Sequence, residues 1–411
     1  MRATRHPTAR TAPGDAPARR DVIIRPAPIA MVWQGLGVPH AAIAVPGVSL
    51  GAGDALVAVE LTTICPSDAA AVGTGIGVVA PLVLGHEQVG RVVAVGPDAA
   101  TSDGTRLVVG MRIVWSRRIG CGECDACLGG STSDCVDARE YGADRLRRGW
   151  ELSGGFASHV LVRAGTTILT VPEIVPASVL APLSCATALA VAAVERVAQQ
   201  VEVDGETVLV SGADLVGLTA VAMLADEGAR VIVVEPDATR RSRALDFGAL
   251  RVAADPSDVV RLIRSERAAG AEGRGAGRAL RRPVAMLGSA PLAPDSVDAS
   301  WGSGDGPFGA VAVVVGLRDG STSPPGADTA GESGADRASR GPWPESAILT
   351  ILRRTEPRHL LAAVDFASNA WFRYPFADLV GRRFPLEKID DALSAAAEAS
   401  VLRVAVDPGL R

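Results

Sequence analysis

Four cysteines fall within fifteen positions, as Cys121, Cys124, Cys127 and Cys135 in the pattern C-x2-C-x2-C-x7-C. Zinc takes four thiolates in a tetrahedron at about 2.3 Å. One tight loop presents three of these sulfurs, and the chain returns with the fourth. Gly120, Gly122, Gly129 and Gly130 ease such a turn. A zinc with all four positions filled by sulfur is structural. Spaced thiolates also suit an iron–sulfur cluster, and the spacing alone leaves both open. A secreted disulfide scaffold is small and cysteine-dense, whereas this chain has six cysteines in 411 residues.

That length is enough for two domains, each with its own core. The formal charge of −5 is mild, and no long basic run points to nucleic acid. No apolar run reaches the roughly 20 residues of a membrane span. Residues 1–20 are rich in Arg, Pro and Ala and lack the apolar stretch of a secretory signal, so they read as a disordered tail. The expectation is a cytoplasmic protein that acts on small molecules.

From Val22 to about Val175 the chain reads as short strands punctuated by Gly and Pro, among them Ala55–Leu61, Gln88–Val95, Arg112–Trp115 and Ala157–Val162. This predicts a compact β unit over residues 21–180. The pattern then changes. Ala186–Ala198 has helical spacing, Thr207–Ser211 and Arg230–Glu235 read as buried strands, and Leu215–Glu227 as the helix between them. Alternating strand and helix predicts a parallel, doubly wound sheet over residues 181–352. Two stretches within it, 266–282 and 318–344, are too rich in Gly, Ser, Pro, Ala, Asp or Arg to pack, and read as flexible insertions. Pro294–Trp301 and Pro357–Ser368 read as helices, and residues 353–411 end in a helix, Leu386–Glu398, and a strand, Leu402–Val406.

A second constellation is spread along the chain. Cys65 precedes Pro66-Ser67-Asp68, Gly85-His86-Glu87 follows some twenty residues later, and Cys185 opens the helical stretch. Two thiolates and one imidazole make a zinc site with an open fourth position. Such a metal acts as a Lewis acid toward an alcohol or carbonyl oxygen and lets an alkoxide exist near neutral pH. Each residue is a weak signal by itself, since a lone Cys or His is more often core. Their joint occurrence carries the reading.

With its order of Cys-x-Ser-Asp, Gly-His-Glu-x-x-Gly, the four-cysteine lobe and Gly154-Gly155-Phe156-Ala157, the chain resembles the zinc-containing alcohol dehydrogenases of the medium-chain dehydrogenase/reductase type. The resemblance runs from about Met31 to Pro408. Tyr141-Gly142, Gly149-Trp150, Leu152-Ser153-Gly154-Gly155, Cys185-Ala186-Thr187-Ala188, Pro357-Arg358-His359-Leu360 and Phe376-Ala377-Asp378-Leu379 are most similar to a bacterial subgroup, the phosphonate-catabolism-associated alcohol dehydrogenases. The resemblance implies a GroES-like β catalytic domain, a Rossmann domain, and a C-terminal part returning to the catalytic domain. It implies that Cys65, His86 and Cys185 hold a catalytic zinc, with Glu87 and Asp68 orienting ligands or briefly approaching the metal. Ser67 would hydrogen-bond the alcohol and start a proton relay. The four-cysteine lobe would hold the structural zinc, which disfavours an iron–sulfur cluster. Relatives of this type are commonly dimers or tetramers. Ala70 stands where many relatives carry a relay histidine, and Pro66 replaces a common glycine.

The strand Thr207–Ser211 leads into Gly212-Ala213-Asp214-Leu215-Val216-Gly217. The expected fingerprint is G-x-G-x-x-G, with a pyrophosphate on the helix N-terminus. Gly212 and Gly217 fit the first and third glycines, but Asp214 stands at the second, where a carboxylate crowds and repels a diphosphate. Either Asp214 turns away or cofactor affinity falls. Glu235 ends the next strand, where an acid commonly binds the adenosine ribose and repels a 2′-phosphate, so NAD is preferred over NADP. Arg240, beside the ribose, and Arg241 nearby soften that preference.

Smaller features stay open. Arg139, Arg145, Arg147 and Arg148 either attract an anionic substrate such as a phosphonate or form a solvated face. His159 reads as a strand residue, and His40 and His359 as surface residues. The reading is a zinc-dependent oxidoreductase moving a hydride between an alcohol and NAD(P). The alternative is a catalytically impaired zinc-containing relative that binds a ligand or partner without turnover.

Overall fold

The computed structural model describes residues 19–259, 261–262, 265, 285–288, 311–315, 348–352, 354–398 and 401–410. The expected insertions 266–282 and 318–344, the helix Pro294–Trp301 and most of the expected tail lie outside these residues. At the edge of that tail, Arg20 opens a strand, Arg20–Ile23, which pairs antiparallel with Gly47–Leu50.

Two large sheets organise the molecule. The first has eight strands, in the order Thr166–Thr170, Arg112–Ile119, Glu87–Val95, Ala55–Thr63, Arg403–Asp407 and Val380–Pro385, with His159–Val162 and Arg139–Glu140 pairing off that path. Its longest strands alternate between buried and partly exposed positions where one face meets solvent. Glu87–Val95 and Ala55–Thr63 pair antiparallel, with register shifts between Leu56 and Val57 and between Val59 and Leu61. The strand Arg403–Asp407 returns from the far end of the chain to pair antiparallel with Ala55–Thr63.

The second sheet has six parallel strands, in the order Arg251–Ala253, Arg230–Val234, Thr207–Ser211, Ala285–Gly288, Val311–Val315 and Ile348–Leu352. This is the doubly wound order, with its reversal beside Thr207–Ser211, where such sheets bind ligands at the carboxyl ends of their strands. Thr207–Ser211, Arg230–Val234 and Ala285–Gly288 are buried almost throughout without alternation because both faces are covered. Val208 and Val210 face one core, whereas Leu209 faces another with Ile232 and Met286.

The core that backs this sheet also contains Cys65, Cys185, Val89 and Val114. One continuous apolar interior therefore reaches both sheets and positions the residues discussed next. The predicted terminal helix begins as a 3-10 turn, Leu386–Lys388, before the α-helix Ile389–Ala396. His40 and His359 are buried rather than on the surface. His40 Nδ1 lies 2.7 Å from Asp390, and His359 Nε2 3.1 Å from Glu195, so each imidazole is held inside by a carboxylate from a distant segment. Among the described residues no single helix is long and apolar enough to cross a membrane. Ala177–Ser184 and Ala186–Ala198 pass that test only as a pair bent by 61°, and most of their residues are buried in the protein core.

Candidate metal and nucleotide site

Cys65 caps the N-terminus of the helix Pro66–Thr74, and Cys185 the N-terminus of Ala186–Ala198. A helix N-terminus favours a thiolate over a thiol. His86 follows Gly85, whose φ of 91° is left-handed and whose Cβ would lie 2.7 Å from the Phe156 ring. Only glycine fits there, and it turns His86 inward. Ser184 Oγ donates to His86 O at 2.9 Å, which ties the Cys185 turn to the histidine. The donor atoms of Cys65, His86 and Cys185 all lie within 4.8 Å of one another, and all three residues are buried.

The chemistry of this trio fits a soft divalent cation. The two Sγ atoms are 3.9 Å apart, and neither is in a disulfide. Asp68 Oδ1 lies 3.2 Å from His86 Nδ1 as an ion-pair contact, and both ring nitrogens of His86 are buried with no hydrogen-bond partner among the described residues. An orphaned buried nitrogen is costly unless something outside the protein satisfies it. The Cys65 thiol is held well below its usual range by the hydrogen bond from Cys185, and His86 and Arg403 add to this against the opposing effect of burial. Burial and Arg117 act to lower His86, but Asp68 and Cys65 outweigh them and push it up to about 9.

Ser67 Oγ donates to Cys65 Sγ at 3.2 Å and is only half-buried. Asp68 Oδ2 accepts from the backbone N–H of Cys65 at 3.1 Å, so one carboxylate braces the Cys65 backbone and faces the imidazole. Glu87 is not among the three converging donors. Arg403 donates to its oxygens at 3.0 and 3.2 Å and Thr63 at 2.7 Å, all fully buried. Its place is behind the trio as a paired charge rather than as a direct ligand. Burial raises its pKa, Arg403 opposes this, and the Cys65 charge adds to the rise. No motif marks Thr63, Ser184 or Arg403, and Arg403 pairs with Glu87 from 316 positions away.

The sulfurs of Cys121, Cys124, Cys127 and Cys135 also lie within 4.8 Å of one another, with no disulfide. Backbone N–H groups aim at them: Cys121 N is 3.3 Å from Cys135 Sγ, and Cys124 N is 3.4 Å from Cys121 Sγ. The backbone N–H of Glu123 is the main cause that brings Cys121 down to about 7. A Cβ on Gly120 would sit 2.7 Å from Cys127 Sγ, so glycine is required where the loop closes. Ser131 and Ser133 of this lobe both bond Glu356, at the head of the helix Pro357–Ala370. The basic residues Arg139, Arg147 and Arg148, with Arg163, line an open surface cavity of about 320 Å³ away from the trio.

At the parallel sheet, Gly212 has a φ of 93°, as the first turn of a dinucleotide loop requires. Asp214 does turn away from an open position, but toward the helix: it is the N-cap of Leu215–Asp226 and accepts from Gly217 N at 2.9 Å. Leu215 and Val216 bury their side chains, so only their backbone N–H groups can face a phosphate. The carboxylate of Glu235 is held by Ala213 N at 2.8 Å and Asp237 N at 2.9 Å. A ribose would share those oxygens with the backbone. Arg240 caps with Asp237 through its own N–H and extends its guanidinium toward Val401 O, 3.5 Å away.

The alcohol dehydrogenase GroES-like domain family matches residues 51–173. The 5-exo-hydroxycamphor dehydrogenase of Pseudomonas putida is 25% identical over 366 residues, 87% of this chain and 92% of that protein. A geraniol dehydrogenase of Castellaniella defragrans is 33% identical over 218 residues, 48% of this chain and 56% of that protein. Matches to the L-threonine 3-dehydrogenases likewise span about half of those proteins, as with the 52% of the Serratia proteamaculans enzyme. Among solved structures, an alcohol dehydrogenase of Thermotoga maritima superposes with a TM-score of 0.74 at 23% identity, covering 92% of this chain and 99% of that one. A zinc-binding dehydrogenase of Sinorhizobium meliloti bound to NADP gives a TM-score of 0.67 at 24% identity over 93% and 100% of the two chains. A GroES-like β unit and a Rossmann sheet thus give the chain the fold of these dehydrogenases, and its relatives support an oxidoreductase that acts on alcohols with NAD(P).

Proposed function

We propose that this chain reversibly oxidises a primary or secondary alcohol with NAD, using the Cys65–His86–Cys185 group. The observation that carries the reading is the meeting of two buried thiols with an imidazole whose nitrogens have no hydrogen-bond partner among the described residues. Zinc held by these three side chains would supply Lewis acidity toward an alcohol or carbonyl oxygen, with nicotinamide as the hydride acceptor.

The chain's own residues do the rest. Asp68 lies against His86 Nδ1 and would orient the ring so that Nε2 is left to bind the metal. The Ser67 hydroxyl, beside Cys65 and half-exposed, takes the substrate proton and passes it outward. Ala70 offers no base, so the onward path runs through water or the ribose. Glu87 and Arg403 balance charge behind the trio. Cys121, Cys124, Cys127 and Cys135 hold a second, structural zinc, since four sulfurs leave no position for substrate. Residues 21–180 and 353–411 form the catalytic unit in this reading, and 181–352 the nucleotide unit. The finer assignments are a dimer or tetramer, a cytoplasmic location and a phosphonate-linked alcohol as substrate, each resting on the family resemblance.

NAD is favoured over NADP because Glu235 repels an added 2′-phosphate. Asp214 sets its carboxylate on the helix N-terminus that a diphosphate needs. Replacing it by glycine is expected to tighten NADH binding on the order of tenfold, the equivalent of about 1.4 kcal/mol, and to cost only a few tenths of a kcal/mol as a cap change. Titration by tryptophan fluorescence reads this; unchanged or weaker binding would mean that Asp214 serves the nucleotide. The reading as a whole is tested by incubating zinc-loaded protein with NAD and a panel of alcohols. Growth of reduced-nicotinamide absorbance supports it. No NADH quenching even at millimolar concentration, with no turnover, would leave the non-catalytic alternative.

A further inference from the structure

Arg117 is a cation on a strand that packs against the turn leading to Cys185, and its Nε has no hydrogen-bond partner among the described residues. It lies on the strand Arg112–Ile119, against which the turn Ala181–Ser184 packs on its way to Cys185. Its backbone O accepts from Tyr141 N at 2.9 Å, and the next residue, Gly142, lies against the backbone of Gly85, which precedes His86. A Cβ on Gly142 would come 2.4 Å from Gly85 O, so this close approach requires glycine.

The Arg117 side chain is only 25% exposed, and Nε is buried with no hydrogen-bond partner among the described residues. Among the described residues its ion pair is a loose contact with Glu140 at 3.6 Å, and Arg118 already holds that carboxylate at 3.0 Å. Burying a guanidinium with so little compensation is costly, and the cost is relieved when an anion arrives. Its charge reaches the trio: it acts to lower His86, and against the effect of burial its own pKa is raised first by Glu140 and then by Cys185, Cys65 and Asp68. Arg139, Arg147 and Arg148, by contrast, are exposed residues at a surface cavity.

We propose that Arg117 is a specificity-determining residue that selects alcohols bearing an anionic group, a carboxylate, phosphate or phosphonate, near the reacting carbon. The planar guanidinium offers a bidentate fork to such a group. This rests on the zinc dehydrogenase reading for the position of the alcohol, but not for the anion preference itself.

The test uses full-length, zinc-loaded protein with saturating NAD and two matched pairs: 3-hydroxypropanoate against 3-hydroxypropanamide, and 2-hydroxyethylphosphonate against its dimethyl ester. The readout is the ratio within each pair. Wild type is expected to favour at least one anion by about ten- to a hundredfold in kcat/KM, mostly through KM. Arg117→Gln brings that ratio close to one, and Arg117→Lys keeps part of it. The pair with the larger ratio tells a carboxylate from a phosphonate substrate. Calorimetric binding of the same four compounds gives the ratio without turnover, so failure of the dehydrogenase reading does not obscure the result. Circular dichroism checks the fold of the variants, and the wild-type ratio stands whether or not they fold. No anion preference in wild type, or one that survives in folded Arg117→Gln, overturns the proposal.

Discussion

Replacing Cys185 by alanine is expected to lower kcat/KM for alcohol oxidation by about a thousandfold or more. The variant leaves Cys65 and His86 without their third partner, and zinc held by two donors is weakly bound. The lost Lewis acidity is worth several kcal/mol, and each 1.36 kcal/mol is a tenfold rate effect. Cys185 is buried at a helix N-terminus and uses no side-chain cap, so the fold should tolerate alanine. Metal analysis should show loss of about one zinc per chain, while the four-cysteine lobe keeps its own. A variant with full activity and unchanged zinc would remove Cys185 from the site.

The second large effect is on stability. Arg403→Ala would leave the Glu87 carboxylate, which has 0% side-chain exposure, without the guanidinium that lies 3.0 Å away. Breaking a buried pair from one side typically costs about 3–5 kcal/mol. For units of this size each kcal/mol shifts Tm by about 2–4 °C, so a fall of roughly 10 °C is expected. Pairing the change with Glu87→Gln should restore part of it, because the uncompensated charge is gone. A thermal scan within about 1 °C of wild type would mean that Glu87 is satisfied by Thr63 alone.

How much of this was legible in the chain depended on the distance over which each feature acts. Alternation and apolar runs mark Thr207–Ser211, Arg230–Val234 and Ala186–Ala198, because local burial periodicity is written locally. The cysteine lobe is equally local. Cys65, His86 and Cys185 could be named from their motifs, but their convergence depends on the turn Ala181–Ser184 and the Ser184 bond to His86. Arg403 and Arg117 carry no motif. Their importance comes from a strand pairing and a packed turn that join segments far apart in sequence. His40 and His359 were misplaced on the surface for the same reason, since Asp390 and Glu195 meet them only after folding. Asp214 illustrates the converse. Its departure from glycine was visible, and the structure adds that it is a helix cap.

The most direct test is an anomalous difference map, collected at the zinc absorption edge, from crystals of the zinc-loaded protein. One peak should lie among Cys65 Sγ, His86 Nε2 and Cys185 Sγ, about 2.3 Å from each sulfur and about 2.0–2.1 Å from the nitrogen, and a second among the four lobe sulfurs. A map with density in the lobe and none among Cys65, His86 and Cys185 would contradict the account.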